Sequence, residues 1–237
     1  MRQLVAAVAA ITVVGTCVFT AGCHSQPNQA PKASTTTSTT KTKPPPPPVA
    51  EAAFKGFLLS PEEINAAMGA TDMKVTNSRD AMSDDSATMT PKECLAIDGS
   101  AQAQVYANSG FMAERDQTLD RQEGDNLTHF VEQAVVLFPT AKQASDFFTA
   151  SAQQWQACHD YTHIQSKTQW TVGATSNTNG VLSTISTLQN PPSTGWKACG
   201  RALTAKNNVI VDVNTCSADP KNSAVDIANK IAAKVPS

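Results

Sequence analysis

The chain has 237 residues, with 18 Lys and Arg against 20 Asp and Glu and a formal net charge of −2. Beyond residue 51 the balance is 14 basic and 19 acidic residues. That excludes a nucleic-acid face, which needs clustered cations for phosphate, and any electrostatic hold on anionic lipid.

Residues 4–19 are mostly Val, Ala, Ile and Leu behind Arg2. The run is shorter than the ~20 residues of a spanning helix, so it predicts a signal peptide over residues 1–22. Thr20-Ala21-Gly22 places small residues before Cys23, as a lipoprotein-processing peptidase requires, although Thr20 stands where an aliphatic residue is usual. The expectation is cleavage before Cys23 and diacylglycerol on its thiol. The protein would then be lipid-anchored to the cell membrane on its extracytoplasmic face. An uncleaved signal anchor and plain secretion are the alternatives.

Residues 23–53 predict a disordered tether: 34–42 are nearly all Ser and Thr, and Pro44 to Pro48 are an unbroken proline run. Neither stretch can bury apolar surface to offset the entropy of folding. The prolines form a stiff rod of roughly 15 Å, and the threonines could carry O-linked glycans.

A domain of roughly 180 residues follows over 54–237, large enough for one substantial core. Ser60-Pro61-Glu62-Glu63 predicts a helix start, with Ser60 as cap, Pro61 in the first turn and Glu63 closing a capping box; Gly69 ends the helix. A short strand is expected at 73–76, and an exposed loop carrying Asp80, Asp84 and Asp85 at 79–90. Strands follow at 103–108, 113–120 and 129–138. Thr140 caps a helix whose inward stripe is Ala144, Phe147, Phe148, Ser151 and Trp155. A meander over 161–166, 169–174 and 181–188 has its last turn at 176–180. A hairpin about Lys206-Asn207-Asn208 joins 196–205 to 209–214, and a helix after Asp219-Pro220 turns Val225, Ala228, Ile231 and Val235 inward. Helices at both ends and in the middle, with strands between, make an α+β domain on a single twisted antiparallel sheet.

Four cysteines remain in the domain: Cys94, Cys158, Cys199 and Cys216. An even number in an exported chain implies disulfides, with three possible pairings. The hairpin would bring Cys199 to Cys216, leaving Cys94 for Cys158. No C-x-x-C spacing points to zinc or redox chemistry.

Residues 58–69 (Leu-Leu-Ser-Pro-Glu-Glu-Ile-Asn-Ala-Ala-Met-Gly), the Val-Tyr-Ala-Asn-Ser-Gly block at 105–110, the helix from Phe147 to Cys158 and the Trp-x-x-Cys-x-Arg-Ala of 196–202 resemble the PknH-like extracellular sensor domain of mycobacteria. The resemblance covers essentially all of 54–235. It implies a twisted sheet packed with helices around a ligand cleft, and two disulfides joining the first cysteine to the second and the third to the fourth. No kinase region or spanning helix accompanies the domain here, which puts inward signalling by this chain in doubt.

No nucleophile elbow, zincin or phosphate-loop motif is present, so no enzyme, cofactor or metal is expected. His159 and His163 share a strand face about 13 Å apart, too far to share a metal, and His129 has no neighbouring nucleophile. Asp80, Asp84 and Asp85 read as a solvated loop rather than a calcium site. Trp155, Trp170, Trp196, Tyr106 and Tyr161 are core residues first and cleft residues second. Asn126-Leu127-Thr128 matches a glycosylation sequon that carries little weight in a bacterium. The leading expectation is a sensor or solute-binding domain that captures a small molecule, glycan or lipid fragment. The competing classes are an envelope protein-interaction module, with a flat patch, and a cleft hydrolase, with titratable groups converging in the pocket.

Overall fold

A computed structural model of the protein describes residues 46–237; the expected signal peptide, Cys23 and most of the expected tether lie outside them. Ten strands form one sheet in which every strand pairing is antiparallel. The first half of the chain supplies β1 (Lys74–Arg79), the two-residue β2 (Met89–Thr90), β3 (Ala113–Glu123) and β4 (Asn126–Leu137). The second half adds β5 (Asp160–His163), β6 (Gln169–Val172), β7 (Ser176–Thr178), β8 (Val181–Leu188), β9 (Ala198–Lys206) and β10 (Val209–Ser217). The order across the sheet is β1-β3-β4-β10-β9-β8-β6-β5-β2, with β7 paired to β8.

Both faces of this sheet are covered, which is why central β10 is buried along its whole length. On one face lie α1 (Pro61–Met68) and α5 (Ser223–Lys234), packing Ile64, Ile227 and Ile231 onto Val211 and Val213. On the other lie α2 (Leu95–Asp98), α3 (Ala103–Tyr106) and α4 (Ala141–Gln154), with Ile97, Tyr106, Phe138, Trp155 and Ile210 in their core.

The local signals behave as their chemistry predicts. Ser60 Oγ accepts from Glu63 N–H, Glu63 Oε2 accepts from Ser60 N–H, and Gly69 closes α1 at φ 61°. Asn207, at φ 52°, turns the β9–β10 hairpin so that Cys199 and Cys216 lie directly opposite one another. They are bonded, with Cα atoms 4.1 Å apart, and Cys94 is bonded to Cys158.

Three stretches differ from expectation. Residues 103–106 form a helical turn rather than a strand, because the Tyr106 hydroxyl reaches down to the sheet at Asp212. Positive φ at Ala101 and Asn108 also bends the chain at either end. Ser176–Thr178 is not turn but strand β7, with the turn confined to Asn179 and Gly180. Val225 is only half-buried; Ala224 and Ile227 carry that part of the α5 contact.

Packing also takes in residues ahead of Phe54. Val49 is buried, and the Asn208 side chain clamps it: Oδ1 accepts from Val49 N–H while Nδ2 donates to Val49 O and Phe138 O. Gln133 does the same for Leu59, accepting its N–H at 2.8 Å and donating to its carbonyl at 2.9 Å. Gln133 is fully buried, so an apolar substitute would strand both backbone groups. Gln133→Leu is expected to cost about 2–4 kcal/mol of stability, measured by denaturant unfolding; a loss within error of zero would show that the clamp is replaceable by water.

Candidate functional site: an aromatic cleft on the sheet

A cleft of about 460 Å³ opens on the face that carries α2 and α3. Its floor is the Cys199–Cys216 bridge with Asn214, where β9 and β10 run side by side. One side is aromatic: Tyr161 and Trp170, on paired strands β5 and β6, stack 6.0 Å apart at 6°, and Trp196 meets Phe130 edge to face at 5.6 Å. The polar lining is built from Asp85, Asp98 and Gln102 around Gly99, with Asp98 bonded to His163 beside the Tyr161 and Trp170 rings. A Cβ on Gly99 would lie 2.7 Å from Gln102 Nε2. The bare glycine therefore lets that amide fold in, where it donates to Asp85 Oδ2 while its oxygen accepts from Asp85 N–H. Recesses of about 260 Å³ beside the start of α5 and about 500 Å³ between α1 and β1 have no aromatic lining.

The polar side is fixed to the sheet by one buried ion pair. Arg201 on β9 is 2% exposed, donates from Nε and Nη2 to Ala96 O, and lies over the Trp155 ring. Its Nη1 donates to Val213 O, and its Nη2 lies 2.7 Å from Asp212 Oδ1 as a buried ion pair. Asp212 Oδ2 accepts from Ala101 N–H and from the Tyr106 hydroxyl. Burial, and then the Asp212 charge, push the Tyr106 phenol well above its usual range, so it stays a donor.

Further charges converge at the cleft. His163 Nε2 is 2.9 Å from Asp98 Oδ1, and that hydrogen bond holds the imidazole above its ordinary pKa against the opposing effect of burial. Arg79, at the end of β1, pairs with Asp116 on β3 and Glu132 on β4. Burial pushes the Glu132 carboxyl up to about 7, although Ser100 donates to its Oε2. Behind them Glu114 is 3% exposed and neither of its oxygens has a partner. Desolvation first, and the Asp116 charge second, hold it well above the carboxylate range.

Among the aromatics singled out in the sequence, half-buried Trp196 lines the cleft; Tyr161 and Trp170, at 3% and 5% exposure, belong to the core and line the cleft as well, whereas Tyr106 and Trp155 are core alone at 1% and 2%. His163 is in the cleft; His159 is exposed outside it, and His129 lies apart on β4 beside Thr128. Asp80 and Asp84 are surface residues, but Asp85 turns inward, which composition of the loop did not reveal. Asp98, Glu132, Arg79 and the Arg201–Asp212 pair were missed. The period-two run of Glu114, Asp116 and Thr118 reads as a solvent face, and only the cover of α2 and α3 makes it interior. Among the described residues no cluster of His, Cys, Asp or Glu is arranged to hold a metal, and no helix is long and apolar enough to cross a membrane.

Comparison with known proteins agrees with this architecture. Residues 49–234 match the family described as PknH-like extracellular domain. The chain belongs to that family. It is 36% identical over 191 residues to the serine/threonine-protein kinase PknH of Mycobacterium bovis and, at the same identity, to that of Mycobacterium tuberculosis. The match covers 79% of this chain but only 31% and 30% of those proteins, so the chain spans under a third of the curated relatives it matches. The crystal structure of the extracellular domain of PknH from Mycobacterium tuberculosis superposes with a TM-score of 0.72 at 34% identity, covering 79% of this chain and 97% of that one. The part shared is therefore the extracellular domain of the kinase.

Two titrations follow from the buried charges. The raised His163 pKa means that its pairing with Asp98 stabilises the fold below the unfolded value near ~6.5 and is lost as pH rises through the folded value. Asp98→Asn should lower the His163 pKa read by NMR and cost more stability at acid than at alkaline pH; an unmoved His163 titration would refute the pairing. Glu114 acts in the same direction over a wider range of pH. The unfolded chain releases its proton near ~4.3 while the native one retains it, so the native state loses stability as pH rises from there through neutrality. Glu114→Gln should remove that slope, its advantage over wild type growing with pH; parallel stability curves would show that Glu114 titrates normally.

Proposed function

We propose that this chain is a lipid-anchored, extracytoplasmic binding protein. Cys23 carries the acyl chains, residues 24–45 hold the domain away from the membrane, and the cleft captures a small component of the cell envelope without converting it. What supports the reading is the cleft: a concavity of about 460 Å³ that combines aromatic and polar lining falls within the range of small-molecule sites. Family membership supports an extracytoplasmic setting, as do the two disulfides, which persist in oxidising compartments. Nucleic acid is not a partner on this reading, given the acidic balance of the domain. Occupancy of the cleft would be reported outward, to another envelope protein.

The convergence of His163–Asp98 and Glu132 favours a second reading, a cleft hydrolase, in which Glu132 would supply a proton near neutral pH. The two readings differ in what happens to the bound molecule.

Protein purified from its native host should release a small molecule detectable by native mass spectrometry, and Trp196→Ala should abolish its retention. A ligand returned unchanged after incubation supports capture; a cleaved one supports the hydrolase; retention that ignores Trp196→Ala contradicts the cleft assignment. Cys23→Ser should shift the protein from the detergent to the aqueous phase, and unchanged partitioning would refute the anchor.

A further inference from the structure

We propose that the cleft takes a neutral sugar, laid against the Trp196 ring and hydrogen-bonded by the carboxylates of Asp85 and Asp98. The inference rests on the binding reading above and adds the chemical class of the ligand.

Charge in the cleft is largely spent inside the protein. His163 is paired with Asp98, and Arg79 is engaged by both Asp116 and Glu132. No lining cation is left over for phosphate or carboxylate, and Asp85, bonded to the Gln102 amide while His163 pairs with Asp98, would repel either. An apolar chain is disfavoured as well, because it would strip water from Asp85 and Asp98 without replacing those hydrogen bonds. A free amine would gain from one carboxylate at most. What remains is strong polarity with little net charge, beside aromatic ring surface. Hydroxyl groups match such a lining, since each can donate to a carboxylate and accept from an N–H. The C–H face of a pyranose matches the half-buried Trp196 ring, held edge to face by Phe130.

An independent observation lies beside them. Trp170 lines the cleft at 5% exposure, and its Nε1–H is buried with no acceptor in the protein. Orphaned buried donors carry a penalty that a ligand oxygen would relieve. The ring lies against Tyr161 with no bond pinning the indole edge, so a small tilt would present the N–H.

The three tryptophans make the test direct, because Trp155 sits in the core as an internal control. In ¹⁵N-labelled protein beginning at residue 24, the indole N–H signals, assigned by single Trp→Phe substitutions, are followed while maltose or mannobiose is added. Binding should move the Trp170 and Trp196 signals and leave Trp155 still, and Trp196→Ala should weaken affinity by about tenfold or more. Glucose 6-phosphate, glucuronic acid and glucosamine should bind no tighter than glucose. Silence from both neutral disaccharides at millimolar concentration overturns the proposal. So does tighter binding by a charged probe; if that probe moves Trp170 and Trp196, the ligand class fails while the cleft remains a binding site. A host-derived ligand that leaves both signals unmoved would instead sink the binding reading itself. An unchanged Trp155 signal in Trp196→Ala verifies that the variant is folded.

Discussion

Arg201 on β9 and Asp212 on β10 pair diagonally across the two strands at 2% exposure each, and the cleft exists because of what they hold. Helices α2 and α3 have four residues apiece, far too few to persist by their own hydrogen bonds. Ala96, Ala101 and Tyr106 attach that segment to the pair through two backbone groups and one phenol. Burying two charges is costly, and a pair of this kind adds little net stability compared with an apolar replacement. Its effect is positional: the segment can dock at one place on the sheet only. Asp98, Gly99 and Gln102, between the attachment points, become the polar side of the cleft as a result.

The rest of the site is arranged around that docking. The Cys199–Cys216 bridge closes the hairpin beneath the cleft, and Cys94–Cys158 ties the approach to α2 to the segment that follows α4 and leads into β5, where Tyr161 and His163 stand. Both sides of the cleft are thus cross-linked to a sheet whose central strands are buried on two faces. Such a scaffold suits a preformed pocket, in which little ordering is required when a ligand enters. The buried carboxylates behind Arg79 make the same wall sensitive to protons, since Glu132 and Glu114 are both held above the carboxylate range by burial.

Local chemistry was legible wherever it acts over a few residues. The Ser60–Glu63 box, the Gly69 stop, the Asn207 turn and the cross-strand cysteines all express short-range rules, and each lies where those rules put it. The α+β class followed from the order of such signals. The cleft was only half visible, since a tryptophan's letter does not reveal whether its ring is core or lining; Trp155 and Trp170 differ in nothing but the elements packed over them. The acidic interior was not legible at all. Glu114, Asp116, Glu132 and Asp212 look like solvent-facing positions of half-exposed strands but are buried, Glu132 and Asp212 by a segment that bonds to them from 32 to 111 residues away. The 103–106 helix was misread for the same reason: a tertiary bond from Tyr106 overrides a four-residue alternation.

Hydrogen–deuterium exchange on Asp212→Asn tests the positional role of the ion pair most directly. The account predicts that amides across 95–106 lose protection, while those of β4, β9 and β10 keep theirs, because the sheet core remains intact when the segment undocks. Wild-type protection across 95–106 would contradict it, as would uniform loss over the whole sheet. The first would mean that the helices dock without the pair, and the second that the pair supports the core rather than the cleft.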